Sequence, residues 1–364
     1  MTSPQAFRRS FPSLSSMAWF DTPAAPPGNR RVTDAMHAAL NDWVEGTFRW
    51  QDWDLATESV RDKFAEILGV RSQDVASLGS VSEFMATVER SFPDAVVLML
   101  ADEFRSVLYP FLAEDRGEAR LRLATREPGE TRTDALLRSL EPGVDFLVAS
   151  EVLASDGDRV DVAALIAAAR QHRCRVVVDA SQALGALAPP SPLPDAYLTH
   201  TYKWLLAPRG VTLAYIESDL RAALKPVAPG WKSTARPHGY YGGPYELPEE
   251  GRKLDSSPSW LTMVGCDAAF AEIRRLDLAD VEAHTLSLAD EVRCGLLERG
   301  YRPVGNGRPS HLVAVDGPTH GLVEAFDREG VRCAVGDGFL RVGLHYFNEM
   351  RDVQRLMAAI DSRS

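Results

Sequence analysis

Two hydrophobic patterns alternate through the middle of the chain: short runs of apolar and β-branched residues, and segments in which apolar residues recur at helical spacing. The runs predict strands at Val96–Leu100, Asp145–Val152, Arg175–Asp179, Ala196–His200 and Val211–Ile216. The helical spacing predicts helices at Glu83–Arg90, Thr133–Leu140 and Asp161–His172. An uninterrupted apolar run such as residues 176–178 suits a strand that is buried on both faces. The pattern predicts an α/β fold in which helices sandwich a mostly parallel sheet.

The pattern changes near residue 237, where a loop rich in glycine and proline begins. The segments after this loop predict helices at Trp260–Leu276 and near Leu286–Arg299, and strands at Leu312–Val315 and Phe339–Val342. We therefore expect three parts: an N-terminal segment of residues 1–30, a large domain of residues 31–236, and a smaller C-terminal α/β domain of residues 237–364.

Composition narrows the class of protein. Of the 364 residues, 45% are hydrophobic and 25% are charged, as in a globular protein, and no apolar stretch is long enough to cross a bilayer. The formal net charge of -11 argues against nucleic-acid binding, which usually needs a basic surface. The four cysteines lack metal-site spacing, and no secretory signal is evident. We expect a soluble, cytoplasmic protein with reduced thiols and no bound metal.

Polar residues that can carry chemistry follow two neighbouring predicted strands. Asp179 ends one strand with Gln182 close behind it, and His200 ends the next strand ahead of Lys203. Each has an ordinary alternative: Asp179 as a helix cap, Gln182 as a surface residue and Lys203 as a solvated lysine. Because open α/β sheets bind ligands at the carboxyl ends of their strands, these residues share one edge of the sheet. A lysine and a carboxylate there suit pyridoxal phosphate, which needs a Schiff-base lysine and an acid beside its pyridine nitrogen.

In these residues the chain resembles the class V aminotransferase family of fold-type I pyridoxal-phosphate enzymes, which includes cysteine desulfurases, kynureninases, isopenicillin N epimerase-like proteins and C–S lyases. The family pattern is D-x-x-Q-x-x-G, an aspartate, and a lysine ahead of a glycine-containing turn; it corresponds to Asp179–Gly185, Asp195 and His200–Gly210. The resemblance implies the fold-type I architecture with pyridoxal 5'-phosphate as the cofactor. It implies that Lys203 forms the Schiff base, that Asp179 meets the pyridine nitrogen and that Gln182 lies beside the phenolic oxygen.

The resemblance extends to residues that would bind the phosphate and the ring. Gly79-Ser80-Val81-Ser82-Glu83 is similar to the family's phosphate-binding turn at a helix start, which implies that Val81 and Ser82 bind the phosphate. The same residues also suit an ordinary helix N-cap. Phe104 matches the position whose side chain stacks on the cofactor ring, and a core phenylalanine is the alternative.

Two C-terminal segments resemble motifs that bind the substrate and the neighbouring subunit. Leu340–Gly343, followed by His345–Asn348, is similar to the segment whose arginine holds the substrate carboxylate, and this assigns Arg341 to that role. Asp255–Pro258 resembles the loop through which a neighbouring subunit reaches the phosphate, and Ser257 is the residue assigned to that contact. The resemblance implies a homodimer that acts on a small amino-acid substrate.

Three positions depart from the desulfurase pattern. Tyr202 stands where desulfurases usually carry histidine; kynureninase-like members also have tyrosine, which hydrogen-bonds the phosphate. His200 could bind the phosphate, transfer protons or fill space. Only a short connection separates Cys333 from Arg341, which leaves little loop to carry a thiol into the site. Cysteine desulfurase activity is therefore disfavoured.

The reactions that remain begin when Lys203 removes the substrate α-proton. We expect β-elimination on a cysteine S-conjugate, a C–S lyase reaction, because the short arginine loop and Ser257-Pro258-Ser259-Trp260 resemble the C–S lyase and epimerase branches. An aminotransferase or an epimerase is the alternative. A catalytically inactive ligand-binding homologue is disfavoured because Lys203 and Asp179 are both present. The sequence also lacks the G-x-x-x-x-G-K-[ST] motif of nucleotide-binding proteins and the G-x-S-x-G motif of serine hydrolases.

Overall fold

The protein is seen in a computed structural model that describes residues 2–114, 117, 119–236 and 239–363; Pro237, where the sequence predicts the smaller domain to begin, lies outside them. The strands are β1 (Ala18–Trp19), β2 (Val75–Leu78), β3 (Val97–Leu100), β4 (Leu121–Ala124), β5 (Phe146–Ser150), β6 (Arg175–Asp179), β7 (Ala196–His200), β8 (Thr212–Ile216), β9 (Arg302–Pro303), β10 (Leu312–Asp316), β11 (Val331–Arg332), β12 (Ala334–Gly336) and β13 (Phe339–Gly343). The helices are α1 (Pro4–Arg8), α2 (Arg30–Glu45), α3 (Trp50–Leu68), α4 (Val81–Ser91), α5 (Arg105–Leu112), α6 (Arg132–Ser139), α7 (Val162–Gln171), α8 (Ser218–Ala223), α9 (Trp260–Ile273), α10 (Leu278–Glu298), α11 (Leu322–Glu329) and α12 (Met350–Asp361).

A seven-stranded sheet with the order β2-β8-β7-β6-β5-β3-β4 lies at the centre of the molecule. The strands from β7 to β4 in this order run parallel to one another. Only β8 runs against its two neighbours, β7 and β2. The mostly parallel sheet predicted from the apolar runs is therefore confirmed, and its carboxyl-terminal edge carries the ends of β5, β6 and β7 side by side.

Helices cover both faces of this sheet. Along β6, Val176 and Val178 pack into one hydrophobic cluster and Val177 into another, because successive side chains of a strand point to opposite faces. The first cluster includes residues of α3, α6, α7 and α9, and the second includes residues of α4, α5 and α8. All three valines are at most 1% exposed, which explains why the sequence shows an uninterrupted apolar run here rather than an alternating one.

A four-stranded antiparallel sheet, in the order β12-β13-β10-β9, forms a second layer near the C-terminus. It shares a third hydrophobic cluster with residues of α10, α11 and α12. Helix α9, which follows the predicted boundary, instead packs against α2 and α3, with the Phe270 and Phe64 rings 6.3 Å apart. The N-terminal segment joins the second layer, since β1 pairs in parallel with β11. The three-part division at residues 30 and 236 stays a prediction.

Some elements differ from the sequence prediction for identifiable reasons. β6 and β7 have the predicted bounds, whereas α10 begins at Leu278 rather than near Leu286. The buried face of α10 contains Thr285, whose hydroxyl donates to the Ala186 carbonyl. Because Thr285 is polar, it interrupts the apolar spacing by which the first half of this helix would be recognised. The sequence prediction also lacks β2 and β4. Both are short strands at the edges of the sheet, and a polar residue interrupts the apolar run of each: Ser77 in β2 and Arg122 in β4.

Within the described part of the chain, no helix combines the length and the apolar character that crossing a bilayer requires.

Trp204 follows Lys203 in the chain. Its side chain is fully buried and lies between the two layers. Its ring meets the His311 ring edge-on, with centroids 4.2 Å apart, and stacks on the His345 ring at 5.8 Å. Its carbonyl group passes so close to Gly185 that a Cβ atom there would lie 2.6 Å from the oxygen. Gly185 also has φ of +102°, which side chains rarely tolerate. The glycine of the D-x-x-Q-x-x-G pattern is therefore required by the Trp204 backbone.

Replacing Gly185 with alanine (G185A) should lower the free energy of unfolding by about 3 kcal/mol, because backbone strain adds to a clash with buried backbone. The matched control is G300A. Gly300 also has a positive φ, of +82°, but a Cβ atom there meets nothing within 4 Å. Its loss should be about 1 kcal/mol. Urea unfolding followed by circular dichroism measures both, and equal losses would contradict the contact between Gly185 and Trp204.

Candidate active site

Lys203 is presented by the turn that follows β7. The Lys203 carbonyl accepts the Leu206 N–H at 3.1 Å, and the Thr201 carbonyl accepts the Ala207 N–H at 3.1 Å, so the turn closes behind the lysine. The side chain is 7% exposed, and its Nζ atom lies 5.7 Å from the ring centroids of both Phe104 and Tyr202. Lys203 therefore points into a largely enclosed space beside two aromatic faces.

Burial lowers the pKa of Lys203 to about 8. The negative charge of Asp179 opposes this shift, while the positive charges of Arg341 and Arg209 add to it. At pH 7 about a tenth of this amine is thus unprotonated, far more than of an ordinary lysine, and the unprotonated form is the one that acts as a nucleophile or general base.

Asp179 ends β6 and is buried at 4% exposure. Ser181 donates both its backbone N–H, at 2.9 Å, and its hydroxyl, at 2.6 Å, to the Asp179 Oδ1 atom. The same hydroxyl accepts the His200 backbone N–H at 2.9 Å, which joins the ends of β6 and β7. Burial raises the pKa of Asp179, while the Ser181 hydrogen bonds and the Lys203 charge lower it. Among the described residues no hydrogen bond reaches Oδ2, so this oxygen can accept a donor from a ligand.

One pocket brings together five of the residues singled out from the sequence. It is lined by Phe104, Ser150, Val152, Leu153, Ala154, Asp179, Ser181, Gln182, His200 and Lys203. Phe104 is 48% exposed, so the alternative of an ordinary core phenylalanine is wrong. Its backbone N–H donates to Glu103, a buried carboxylate that also accepts the Ser150 hydroxyl at 2.6 Å. Sequence reasoning missed Glu103 and Ser150, because a polar pair between β3 and β5 has no local pattern.

The Gln182 side chain has a defined orientation within this pocket. Its Nε2 atom donates to the Pro23 carbonyl at 3.1 Å, and its Oε1 atom accepts the Trp204 indole N–H at 3.0 Å. At 7% exposure it is not the solvated surface residue of the ordinary alternative. One amide hydrogen remains for a ligand.

His200 and Tyr202 both precede Lys203 closely in the chain, and the centroids of their rings are 5.4 Å apart. The His200 Nδ1 atom is 2.9 Å from the Thr212 hydroxyl oxygen. Burial, together with the positive charges of Lys203 and Arg209, lowers the pKa of His200 to about 4. His200 is therefore neutral near pH 7 and can offer hydrogen bonds but not a positive charge. The Tyr202 ring lies 5.1 Å from the Arg209 guanidinium carbon, an arrangement that favours a cation–π contact.

The predicted phosphate-binding residues lie at the start of α4. The N-cap is Ser80, whose hydroxyl accepts the Glu83 N–H at 3.2 Å, so the capping role belongs to Ser80 and not to Ser82. Val81 is fully buried, Ser82 is half-buried, and neither lines the Lys203 pocket. Their backbone N–H groups belong to the first helical turn, where an anion is favoured. The Glu83 carboxylate is held by the Gly79 N–H at 2.9 Å and the Ser256 hydroxyl at 2.6 Å.

Arg341 lies on β13, paired with Ala314 of β10 and Ala334 of β12. Its Nη2 atom is 3.6 Å from Asp21 Oδ1, a contact that sequence reasoning missed because the two residues are so far apart in the chain. Burial raises the pKa of Asp21, and the Arg341 charge opposes the rise. The Arg341 Nε atom is buried without a hydrogen-bond partner among the described residues. The guanidinium group thus retains donors for an anion such as a carboxylate.

Ser257 is exposed and lies outside the Lys203 pocket. Its hydroxyl accepts the Trp231 indole N–H at 3.2 Å. It borders a separate cavity of about 470 Å³ that is lined by Trp50, Trp231, Tyr240, Tyr241, Ser257, Pro258 and Trp260. The loop before it is anchored by Asp255, which is paired with Arg61 at 2.5 Å and accepts the Ser77 N–H at 2.9 Å.

Cys333 lies between β11 and β12, directly before the hairpin that β12 and β13 form. Its Sγ atom is 2.9 Å from the Arg341 carbonyl oxygen, and burial raises the pKa of the thiol. Gly336 pairs with Phe339, so only Asp337 and Gly338 connect β12 to β13. The thiol therefore lies against the backbone of a tight hairpin, and its raised pKa disfavours the thiolate that a nucleophile needs.

The chain is similar to known proteins along most of its length. The family model described as aminotransferase class-V matches residues 18–356. The chain is 21% identical over 377 residues to the uncharacterized aminotransferase YcbU of Bacillus subtilis, covering 99% of this chain and 98% of that protein. It is 27% identical over 263 residues to the kynureninase of Deinococcus radiodurans, covering 70% of this chain and 62% of that protein.

Solved structures show the same fold. The cystine C–S lyase C-DES, in complex with its product cysteine persulfide, matches with a TM-score of 0.84 at 20% identity, covering 97% of this chain and 100% of that chain. The cysteine desulfurase CsdA of Escherichia coli matches with a TM-score of 0.83 at 21% identity, covering 99% of this chain and 98% of that chain. At these identities the match shows a shared architecture and leaves the reaction to be argued from the site.

In the protein without cofactor, Lys203 should react with an amine-directed reagent with a pH midpoint of about 8, compared with 10.5 for an ordinary lysine. A D179N variant should move this midpoint lower, because it removes the charge that favours the protonated amine. Labelling rates at a series of pH values, measured by peptide mass spectrometry against N-acetyl-lysine amide in the same solution, decide both points. A midpoint near 10.5 would contradict the buried position of the amine.

Proposed function

Because the chain belongs to the class-V aminotransferase family and depends on pyridoxal 5'-phosphate, we propose that it is a C–S lyase that eliminates a thiol from the β-carbon of a cysteine S-conjugate. The observation that carries the proposal is the buried Lys203 amine with a pKa of about 8, placed in one pocket with Asp179. The cystine C–S lyase C-DES shares its fold over 97% of the chain. A cysteine desulfurase is less well supported, because burial raises the pKa of the Cys333 thiol and its Sγ atom lies against the Arg341 carbonyl oxygen.

The residues of the pocket fit the cofactor. Asp179 Oδ2 would accept a hydrogen bond from the protonated pyridine nitrogen, and the exposed Phe104 face would be available to stack on the ring. The remaining Gln182 N–H would meet the phenolic oxygen. We assign the phosphate to the start of α4 with Val81 and Ser82, with Tyr202 and His200 as further hydrogen-bonding groups.

Bound there through Lys203, pyridoxal phosphate supplies an electron-withdrawing ring that stabilises negative charge on the substrate α-carbon. The buried Asp179 would hold the proton on the ring nitrogen, since a carboxylate out of water is strongly stabilised by a cationic partner. The Lys203 amine would take the substrate α-proton as a general base. Arg341 holds the substrate carboxylate and fixes which bond to the α-carbon faces the lysine.

We further propose that the chain works as a homodimer in which Ser257 reaches the phosphate in the neighbouring subunit. Ser257 is exposed and stands apart from the pocket of its own chain. The Asp255–Arg61 pair keeps the loop in a fixed position, so the hydroxyl is presented at the surface on a rigid support.

The deciding experiment incubates the purified holoprotein with a panel of cysteine S-conjugates and with common amino acids plus a 2-oxo acid. A C–S lyase releases pyruvate, ammonia and a thiol in equal amounts from at least one conjugate, and K203A should release none and lack the part of the visible absorbance that depends on the bond between the cofactor and Lys203. C333A should retain the activity, because its thiol is not part of the site.

The other possible results of this experiment identify different functions. Amino-group transfer to the 2-oxo acid without thiol release identifies an aminotransferase, the activity suggested by the Bacillus subtilis relative. Loss of sulfur release in C333A would instead indicate desulfurase chemistry. A protein that binds the cofactor but converts no substrate would support the inactive homologue.

Replacing Arg341 with leucine should raise KM for the amino acid roughly 100-fold with a smaller effect on kcat, because loss of a charge-assisted pair to a carboxylate costs about 3 kcal/mol. The control is R302L, which removes an exposed arginine from β9 of the same small sheet. Steady-state kinetics of both variants provide the measurement. An unchanged KM in R341L would place the substrate carboxylate elsewhere.

A further inference from the structure

Two hydrogen-bond partners determine the orientation of the Gln182 amide, because one of them can only donate and the other can only accept. The Trp204 indole N–H can only donate, so at 3.0 Å it requires the amide oxygen. The Pro23 carbonyl can only accept, so at 3.1 Å it requires the amide nitrogen. A rotated amide would place two donors together and two acceptors together inside a buried region, which is strongly unfavourable. Gln182 itself lines the Lys203 pocket, so the second amide hydrogen is the donor that remains for a ligand there.

Among the described residues, several neighbours of Trp204 fix the position of its backbone and its ring. The His345 Nδ1 atom accepts the Tyr346 N–H at 2.7 Å, so its Nε2 atom carries the hydrogen that is donated to the Trp204 carbonyl at 3.0 Å. Burial lowers the pKa of His345 to about 4, which keeps this tautomer neutral over the working range. The edge-on His311 ring and the missing side chain of Gly185 complete the enclosure. The indole can neither rotate nor withdraw without moving these groups.

We propose that Trp204 is a positioning residue that orients the Gln182 amide and thereby sets how tightly the cofactor bound to Lys203 retains its proton. The inference rests on the cofactor site proposed above. An N–H that points at the phenolic oxygen stabilises negative charge on that oxygen. This weakens the attraction of the oxygen for the neighbouring proton on the Lys203 nitrogen, so the proton leaves at a lower pH.

The test is a pH titration of the visible absorbance of the holoprotein without substrate. Replacing Trp204 with phenylalanine (W204F) removes the donor and leaves Gln182 Oε1 without its partner. The midpoint should rise by about one pH unit, the shift expected when one hydrogen bond to a charged oxygen is weakened. Asp179, Arg209 and Arg341, the charged side chains that act on Lys203, are unchanged in this variant. The control W43F removes an indole that is 55% exposed on α2, and it should keep the parental midpoint.

A second pair of variants separates orientation of the amide from general loosening of the fold. Q182L removes the amide and should raise the midpoint by itself. The double variant W204F/Q182L should then show the Q182L midpoint, because the indole no longer has an amide to orient. A parental midpoint in W204F, or fully additive shifts in the double variant, would overturn the proposal.

If W204F does not fold, biosynthetic exchange of tryptophan for its benzothiophene analogue removes the indole N–H and preserves the ring shape. The midpoint of the exchanged protein should rise, and the rise should vanish in Q182L. The same titration distinguishes failure of this inference from failure of the cofactor site. A visible band whose midpoint is indifferent to Trp204 overturns the positioning role alone. A parental protein without any band at saturating cofactor overturns both.

Discussion

The hydrogen bond from Trp204 to Gln182 joins segments of the chain that are far apart in sequence but must meet at one site. Lys203 precedes the tryptophan directly, and Gln182 accepts its indole N–H at 3.0 Å. On the other side of the ring, a Cβ atom on Gly343, two residues beyond Arg341, would lie 3.1 Å from the indole. Because the ring is fully buried among these groups, a shift in any one of them is transmitted to the others through direct contact. The relative positions of the lysine, the amide and the arginine therefore depend on the packing of a single side chain.

Electrostatics in the pocket follow from burial acting on opposite charges. Burial lowers the pKa of Lys203 and raises the pKa of Asp179, so it favours the neutral form of each group. Their mutual attraction opposes both shifts, and the positive charges of Arg341 and Arg209 favour the neutral lysine. The result is an amine that is reactive near neutral pH beside a carboxylate that is prepared for a cationic partner. Neither property would arise at the surface, where water screens such interactions.

The sequence was informative where strands supply residues to one edge and uninformative where distant segments meet. Asp179, Gln182, His200 and Lys203 line one pocket because β6 and β7 are adjacent parallel strands, which the apolar runs already indicated. The contact of Arg341 with Asp21 and the enclosure of Trp204 by His311 and His345 have no local pattern. The edge strands β2 and β4 were also missed, because Ser77 and Arg122 interrupt their short apolar runs. The sequence therefore predicts the residues that line the pocket, whereas the residues that hold them in position are seen only in the structure.

The tight connection between β12 and β13 has a consequence for what happens to sulfur after it leaves the substrate. With only Asp337 and Gly338 between the strands, the chain has no swinging arm in this region that could pick up a sulfur atom and carry it outward. Under the proposed reaction, sulfur would leave as a small diffusible molecule rather than as a protein-bound relay. Delivery would then be governed by how fast that molecule escapes the pocket and by what captures it in solution, without a docked acceptor protein.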